Sequence, residues 1–159
     1  MKMRSVYGMF IKKSQSRRIR FMDIRIVTEA DWENWRKYDA HILKEEFLNK
    51  VHLKRGYVIC EDSQVIGVLR WNLFWDNVPF MTLIYFDEHY RNKGFGRKVM
   101  DFWENEMKKQ GYEAVMTSTQ VDEGAQHFYR KMGYQDCGCL VLNIPALEQP
   151  MEMFFVKAL

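Results

Sequence analysis

Residues 90–99 read Tyr-Arg-Asn-Lys-Gly-Phe-Gly-Arg-Lys-Val, two glycines two apart among the basic side chains Arg91, Lys93, Arg97 and Lys98. The stretch follows an apolar run and opens a helical pattern. Cations belong at the other end of a helix, where the macrodipole favours them by ~0.3–1 kcal/mol each. Basic residues at the start therefore ask for an anion. Gly94 and Gly96 leave no side chain between the backbone and a ligand. A loop that turns straight into a helix aims unsatisfied N–H groups at one point, which suits phosphate. Neither common nucleotide pattern fits. Nothing here ends in Gly-Lys-Ser/Thr, and Val99 stands where a dinucleotide fingerprint needs its third glycine.

Two motifs together carry a family likeness. Arg91-Asn92-Lys93-Gly94-Phe95-Gly96 resembles the acetyl-coenzyme A loop of the GNAT acetyltransferases, R/Q-x-x-G-x-G/A. The second motif of that family is an alanine, an aromatic–tyrosine pair, then glycine and an aromatic. It stands here as Ala125, Phe128-Tyr129 and Gly133-Tyr134. The likeness is close over residues 80–134 and coarse from 23 to the end. It implies an α/β (α+β) fold: a mixed, mostly antiparallel twisted sheet flanked by helices, with splayed central strands holding acetyl-coenzyme A as cosubstrate. The pyrophosphate would lie on the amides of residues 91–96, beside Arg97 and Phe128. The pantetheine arm would lie between strands at 80–86 and 114–118, along Leu83, Ile84, Tyr85 and Phe86. A polar residue just before the second helix, often Asn, contacts that arm in the family. Here the place falls on Asp122, which accepts hydrogen bonds but cannot donate as Asn does. Contact with the arm and a plain helix N-cap are both open to it.

The chemistry that the likeness implies is direct acetyl transfer to a primary amine of a small molecule or peptide, through a tetrahedral intermediate. An alkyl amine of pKa ~10.4 is only about one part in a thousand neutral at pH 7. A base or a water chain must take its proton. Charge developing on the carbonyl oxygen needs fixed N–H donors, which the family takes from the backbone of the central strand, here Leu83 to Phe86. Tyr129 matches the usual acid for the leaving thiolate. Its reference pKa of ~10, against ~8.5 for a thiol, keeps it protonated. The same side chain also suits packing with Ala125 and Met132, whereas His127, two positions away, falls on another, exposed face. No carboxylate occurs in residues 80–86, so Asp76, Asp87, Glu88, His41 or a water relay remain open as the base. Trp71, Phe74 and Trp75 near Asp76 suggest an apolar pocket with one carboxylate for a cationic amine. Tyr38 and His41 would form its opposite wall. Two other functions stay open: a non-catalytic coenzyme A-binding regulatory module, and a nucleic-acid-associated protein using a basic arm.

The elements that must position these residues follow from periodicity. Residues 23–27 alternate as a strand, and Thr28 with Asp31 forms a capping box before a helix through residue 40. Residues 42–54 continue helically, with Ile42, Leu43, Phe47, Leu48 and Val51 on one face and Gly56 as the stop. Two strands, 57–61 and 65–72, join at Asp62-Ser63-Gln64. Residues 73–79 read as a loop and 80–86 as a central strand. Phe95, Val99, Phe102, Trp103 and Met107 recur at helical spacing up to Gly111. A strand over 113–119, a helix over 123–132, and an antiparallel pair, 139–144 with 151–157, complete the chain.

Composition bounds the class. At 159 residues and 47% hydrophobic, the chain can bury one domain's core. No apolar stretch approaches the ~18 residues of a membrane span, and no signal-peptide pattern occurs. A soluble, cytoplasmic protein is expected. Cys60, Cys137 and Cys139 suit free thiols in a reducing compartment. The four histidines lack ligand spacing, and Cys137-Gly138-Cys139 reads as two thiols on a strand, so no metal is expected. The net charge of +3 conceals an asymmetry: residues 1–21 hold seven basic and no acidic residues, leaving 17 basic against 21 acidic elsewhere. Residues 1–21 are thus read as a basic extension and 22–159 as a single domain of this family. Charge alone argues against nucleic-acid binding by that acidic remainder. A homodimer is left open.

Overall fold

The structure, a computed structural model, describes residues 22–159; the basic extension 1–21 lies outside the described residues. Seven strands form one sheet in the order β1-β2-β3-β4-β5-β7-β6. They are β1 (Met22–Ile26), β2 (Gly56–Glu61), β3 (Gln64–Phe74), β4 (Val78–Phe86), β5 (Ala114–Gln120), β6 (Gln135–Leu140) and β7 (Glu152–Ala158). Only the β4–β5 pair is parallel. Four α-helices flank the sheet: α1 (Trp32–Trp35), α2 (Lys44–His52), α3 (Phe95–Lys109) and α4 (Ala125–Lys131). This is the mixed, mostly antiparallel arrangement expected from the sequence.

Local chemistry explains the joints. Thr28 and Asp31 form the expected capping box. Asp31 accepts from the Thr28 backbone N–H (2.8 Å) and takes a two-point ion pair from Arg25 (2.6 and 2.8 Å). The Arg25 guanidinium, followed by the Thr28 donors, holds the Asp31 carboxyl below its usual range. Asp62 (φ 48°) and Ser63 (φ 69°) make the two-residue turn between β2 and β3, whose left-handed backbone matches strand twist.

Three expectations are corrected. The first helix does not run through residue 40: α1 stops at Trp35 and α2 begins at Lys44. Asp39 is drawn inward by Trp35 Nε1 (3.1 Å) and Arg70 (2.7 Å), which holds the chain in a turn. The loop over 73–79 shrinks to residues 75–77, because Trp75 (φ 50°) and Asp76 (φ 61°) close a tight hairpin between long strands. The β6 strand lies at 135–140 rather than 139–144. Gly133 (φ 90°) ends α4, and the chain enters the sheet edge at once. Every residue of that edge strand is exposed, so apolar alternation could not mark it.

Each face of the sheet has its own core. Leu69, Trp71, Met81, Phe86, Trp103, Tyr129 and Phe155 pack with α3 and α4 on one side. Val27, Trp35, Phe47, Val58, Cys60 and Val68 pack with α1 and α2 on the other. Each fully buried large side chain contributes ~1.5–3 kcal/mol. At Gly67 the strands β3 and β4 touch: a Cβ there would lie 2.5 Å from the Tyr85 carbonyl oxygen and 2.8 Å from the Phe86 ring. Gly67→Ala is expected to cost about 1–3 kcal/mol by forcing the backbones apart. The check is the urea midpoint at unchanged m; a midpoint equal to wild type would show that the strands yield freely.

Candidate functional site

The central strands part at one residue. Across β3–β4, Arg70 faces Leu83 and Trp71 faces Met81, which leaves Thr82 as an extra residue. Such a bulge bends its strand and interrupts the ladder. The parallel β4–β5 ladder stops there too, its two pairs being Phe80–Met116 and Met81–Thr117. Beyond it, the β5-facing backbone groups of β4 have no partner strand. The bulge is pinned from the α1–α2 side. Arg70 Nη1 donates to Thr82 Oγ1 at 2.8 Å, while Arg70 Nε donates to Asp39 at 2.7 Å.

The gap widens into a cleft of ≈ 950 Å³. Ile84, Phe86, Thr117 and Thr119 meet it from the α3–α4 face, and Leu83, Tyr85, Ser118, Gln120 and Glu152 from the opposite face. The cleft therefore passes through the sheet.

At one mouth stands the N-terminus of α3. Gly94 (φ 83°) is its N-cap, no side chain caps it, and its first turn holds no acidic residue. The first helical bond is Lys98 N–H to the Gly94 carbonyl (3.3 Å), so the amides of Phe95, Gly96 and Arg97 have no helical acceptor. Arg91, Asn92, Gly94, Gly96 and Arg97 line the cleft there. Asn92 is itself left-handed (φ 58°). Successive amides in such a turn make an anion-binding concavity. Arg91 Nε also donates to the Phe86 carbonyl (3.2 Å), and its guanidinium lies 4.7 Å from the Tyr85 ring centroid. The donor set fits a pyrophosphate, and the strand gap beyond it fits a pantetheine arm.

Tyr129 lines the cleft from α4 and is 5% exposed. Burial pushes its phenol up to about 12, aided by the charges of Glu123 and Glu152, while a hydrogen bond with Thr117 pulls the other way. Phe128 lies beside it; a Cβ on Gly96 would lie 3.4 Å from the Phe128 ring.

Other expected residues fall elsewhere. Lys93 is off the cleft wall, and Phe95 turns inward onto Tyr90 (5.5 Å) and Phe86 (6.5 Å). Asp122 neither lines the cleft nor caps α4, whose N-cap is Gly124. Its neighbour Glu123 lines the wall instead and accepts from the Thr119 hydroxyl. The expected pocket of Trp71, Trp75, Asp76, Tyr38 and His41 does not assemble. Trp71 is 3% exposed in the core beneath α3, because alternation along β3 turns it away from Arg70 and Asn72. Trp75 and Asp76 sit at the exposed hairpin tip. Tyr38 donates toward the Val65 carbonyl (2.9 Å) or Asp87 (3.0 Å), near the far end of β4, ~26 Å from the tip at ~3.3 Å per residue. His41 is exposed between α1 and α2.

Sequence reasoning reached Thr117 only as part of the strand at 114–118 and missed Thr119, Gln120, Glu123 and Glu152. The threonines left one signal: hydroxyls alternate on the face of β5 where Val115 is buried. Glu152 left none.

Comparison with known proteins adds three findings. The family described as the GNAT acetyltransferase family matches residues 22–134. The comparison with curated protein sequences returned no match. Among solved structures, Ard1 from Thermoplasma volcanium is similar at TM-score 0.75 and 17% identity, over 86% of this chain and 97% of that one. Arabidopsis thaliana Naa50, in complex with the bisubstrate analogue CoA-Ac-MVNAL, is similar at 0.72 and 11%, over 87% and 99%. A GNAT family acetyltransferase from Elizabethkingia anophelis with acetyl-CoA bound is similar at 0.67 and 16%, over 87% and 98%.

Proposed function

Because the chain belongs to the GNAT acetyltransferase family, we propose that it transfers acetyl from acetyl-coenzyme A to a primary amine of a small molecule or peptide. The observation that carries this reading is the cleft through the sheet, with an uncapped, basic helix N-terminus at one mouth. A pyrophosphate on the amides of residues 94–97 resolves the charge conflict of Arg97 and Lys98. The thioester then lies along β4, whose unpaired backbone N–H groups stand ready for a developing oxyanion. The amine loses a proton, its lone pair forms the C–N bond, and the C–S bond breaks. The Tyr129 phenol, on the cleft wall, donates a hydrogen bond to the sulfur as charge builds, and the thiolate then takes a proton from water. Overall an ammonium and an acetyl thioester give an amide, a thiol and one proton. Peptide amines belong in the reading because Naa50 is solved with a ligand joining coenzyme A to a peptide. A cytoplasmic site of action is part of the proposal, supported by the free cysteines Cys60, Cys137 and Cys139.

The β4 strand holds no carboxylate, which favours one competing reading, a coenzyme A-binding module without turnover. Thiol release measured across small amines and peptides separates the two. The expected result is release that requires both acetyl-coenzyme A and an amine, with acetylated amine recovered by mass spectrometry. Tight coenzyme binding with no product across the panel would replace the enzyme by the module.

A further inference from the structure

The second mouth of the cleft opens on a half of the sheet that α1 and α2 do not cover. Those helices pack over β1–β3 as far as Leu83 of β4, with Val27, Val58 and Val68 beneath them. Over β4, β5 and β7 the same face shows aromatic rings. Phe154 lies 5.8 Å from Phe80, which lies 5.7 Å from Phe74, and the exposed Trp75 continues the row at 4.6 Å. The three phenylalanines are each only partly buried. Alternation along β7 puts Glu152 on the same face, two residues before Phe154, opposite Gln120. Glu152 lines the cleft and, among the described residues, accepts only a long hydrogen bond, from Gln149 Nε2 at 3.3 Å. Among the described residues no cation pairs with it, so its charge is free to meet a ligand.

Resting on the transfer reading above, we propose that the acceptor is an ammonium group carried on an apolar or aromatic body. The ammonium sits against the Glu152 carboxylate at the second mouth, and the body lies along Phe154, Phe80 and Phe74. A carboxylate beside half-exposed rings attracts a cation twice, by charge and by the ring quadrupoles. It repels acceptors that carry an anion next to the amine. The rings also supply contact area that a polar amine cannot use. The first mouth has the opposite character, cationic and open to phosphate, so the two substrates are sorted by charge to opposite faces of the sheet.

The test compares 2-phenylethylamine with ethanolamine and with β-alanine, by kcat/KM at saturating acetyl-coenzyme A, in wild type, Glu152→Gln and Phe154→Ala. Coenzyme affinity is followed separately by calorimetry. We expect wild type to prefer 2-phenylethylamine over ethanolamine by about tenfold or more, with β-alanine poorest. Phe154→Ala should erase most of the first preference by raising KM, at unchanged kcat and coenzyme affinity. Glu152→Gln should lower kcat/KM for 2-phenylethylamine by about tenfold or more and narrow its lead over β-alanine. Equal use of the three amines by wild type, or preferences unchanged in both variants, would overturn the inference and leave acetyl transfer standing. No acetylation of any amine by a protein that binds coenzyme would overturn the transfer reading and this inference together.

Discussion

Gly96→Glu is expected to abolish coenzyme binding, raising Kd by about 100-fold or more in calorimetry, while the fold survives. The first turn of α3 has three amides without helical acceptors and no side-chain cap. A glutamate at its second position would supply the missing negative charge itself. That favours the helix by ~0.3–1 kcal/mol and occupies the phosphate position with a fixed carboxylate. Space is no obstacle to folding, since the new Cβ meets only the Phe128 ring at 3.4 Å. The sign of the stability change separates this account from simple damage: thermal stability should hold or rise as binding is lost. Gly96→Ala, which adds the Cβ without the charge, should weaken binding far less. If glutamate and alanine weakened binding equally, charge at the helix N-terminus would not be what the loop provides.

The second large effect is expected at Tyr129. Tyr129→Phe keeps the ring among Phe128, Tyr134 and Phe155 and removes only the phenol. Turnover should fall about 10²–10³-fold, in the range for one lost hydrogen-bond donor to developing charge, with coenzyme Kd unchanged. The pH profile supplies a sharper criterion. Burial lifts the phenol to about 12, so it stays protonated, and available to donate, as pH rises well past the thiol range. An acid of unshifted pKa ~10 would lose its proton there, and kcat would fall on the alkaline side. Wild-type kcat should instead show no alkaline fall up to about pH 10.5. The same shift carries a cost, because complete transfer to a thiolate of pKa ~8.5 is uphill by roughly 4–5 kcal/mol. Tyr129 therefore acts by a hydrogen bond to the sulfur as charge builds, with proton transfer completed from water. A falling alkaline limb that disappears in Tyr129→Phe would instead show an acid of ordinary pKa.

Local signals marked most elements because each has a short-range cause. The box at Thr28 and Asp31, the left-handed turn at Asp62–Ser63, and the spacing of Val99, Trp103 and Met107 all lie within a few residues. Errors appeared where a distant partner decided. Asp39 broke the first helix because Arg70 and Trp35 bury it. The β6 strand lies at 135–140 rather than the expected 139–144 because an exposed edge has no apolar face to mark its bounds. The aromatic cluster around Trp71 looked like one pocket because sequence neighbours seem close, yet neighbours along a strand point to opposite faces.

The sequence by itself determined the family likeness and the uncapped, basic turn that opens α3. Gly94, Gly96 and their basic neighbours lie in one continuous turn, so the anion site we propose for them rests on spacing that the sequence alone displays. Only the tertiary structure decided where the mouth that we propose for the acceptor lies. It needs a bulge at Thr82, braced from β3 by Arg70, to part β4 from β5. It then needs Glu152 and Phe154, from the last strand, brought beside Phe80 across the widened gap. Those residues lie more than seventy positions apart, and no local propensity connects them. Sheet pairing does, by setting which side chains share a face.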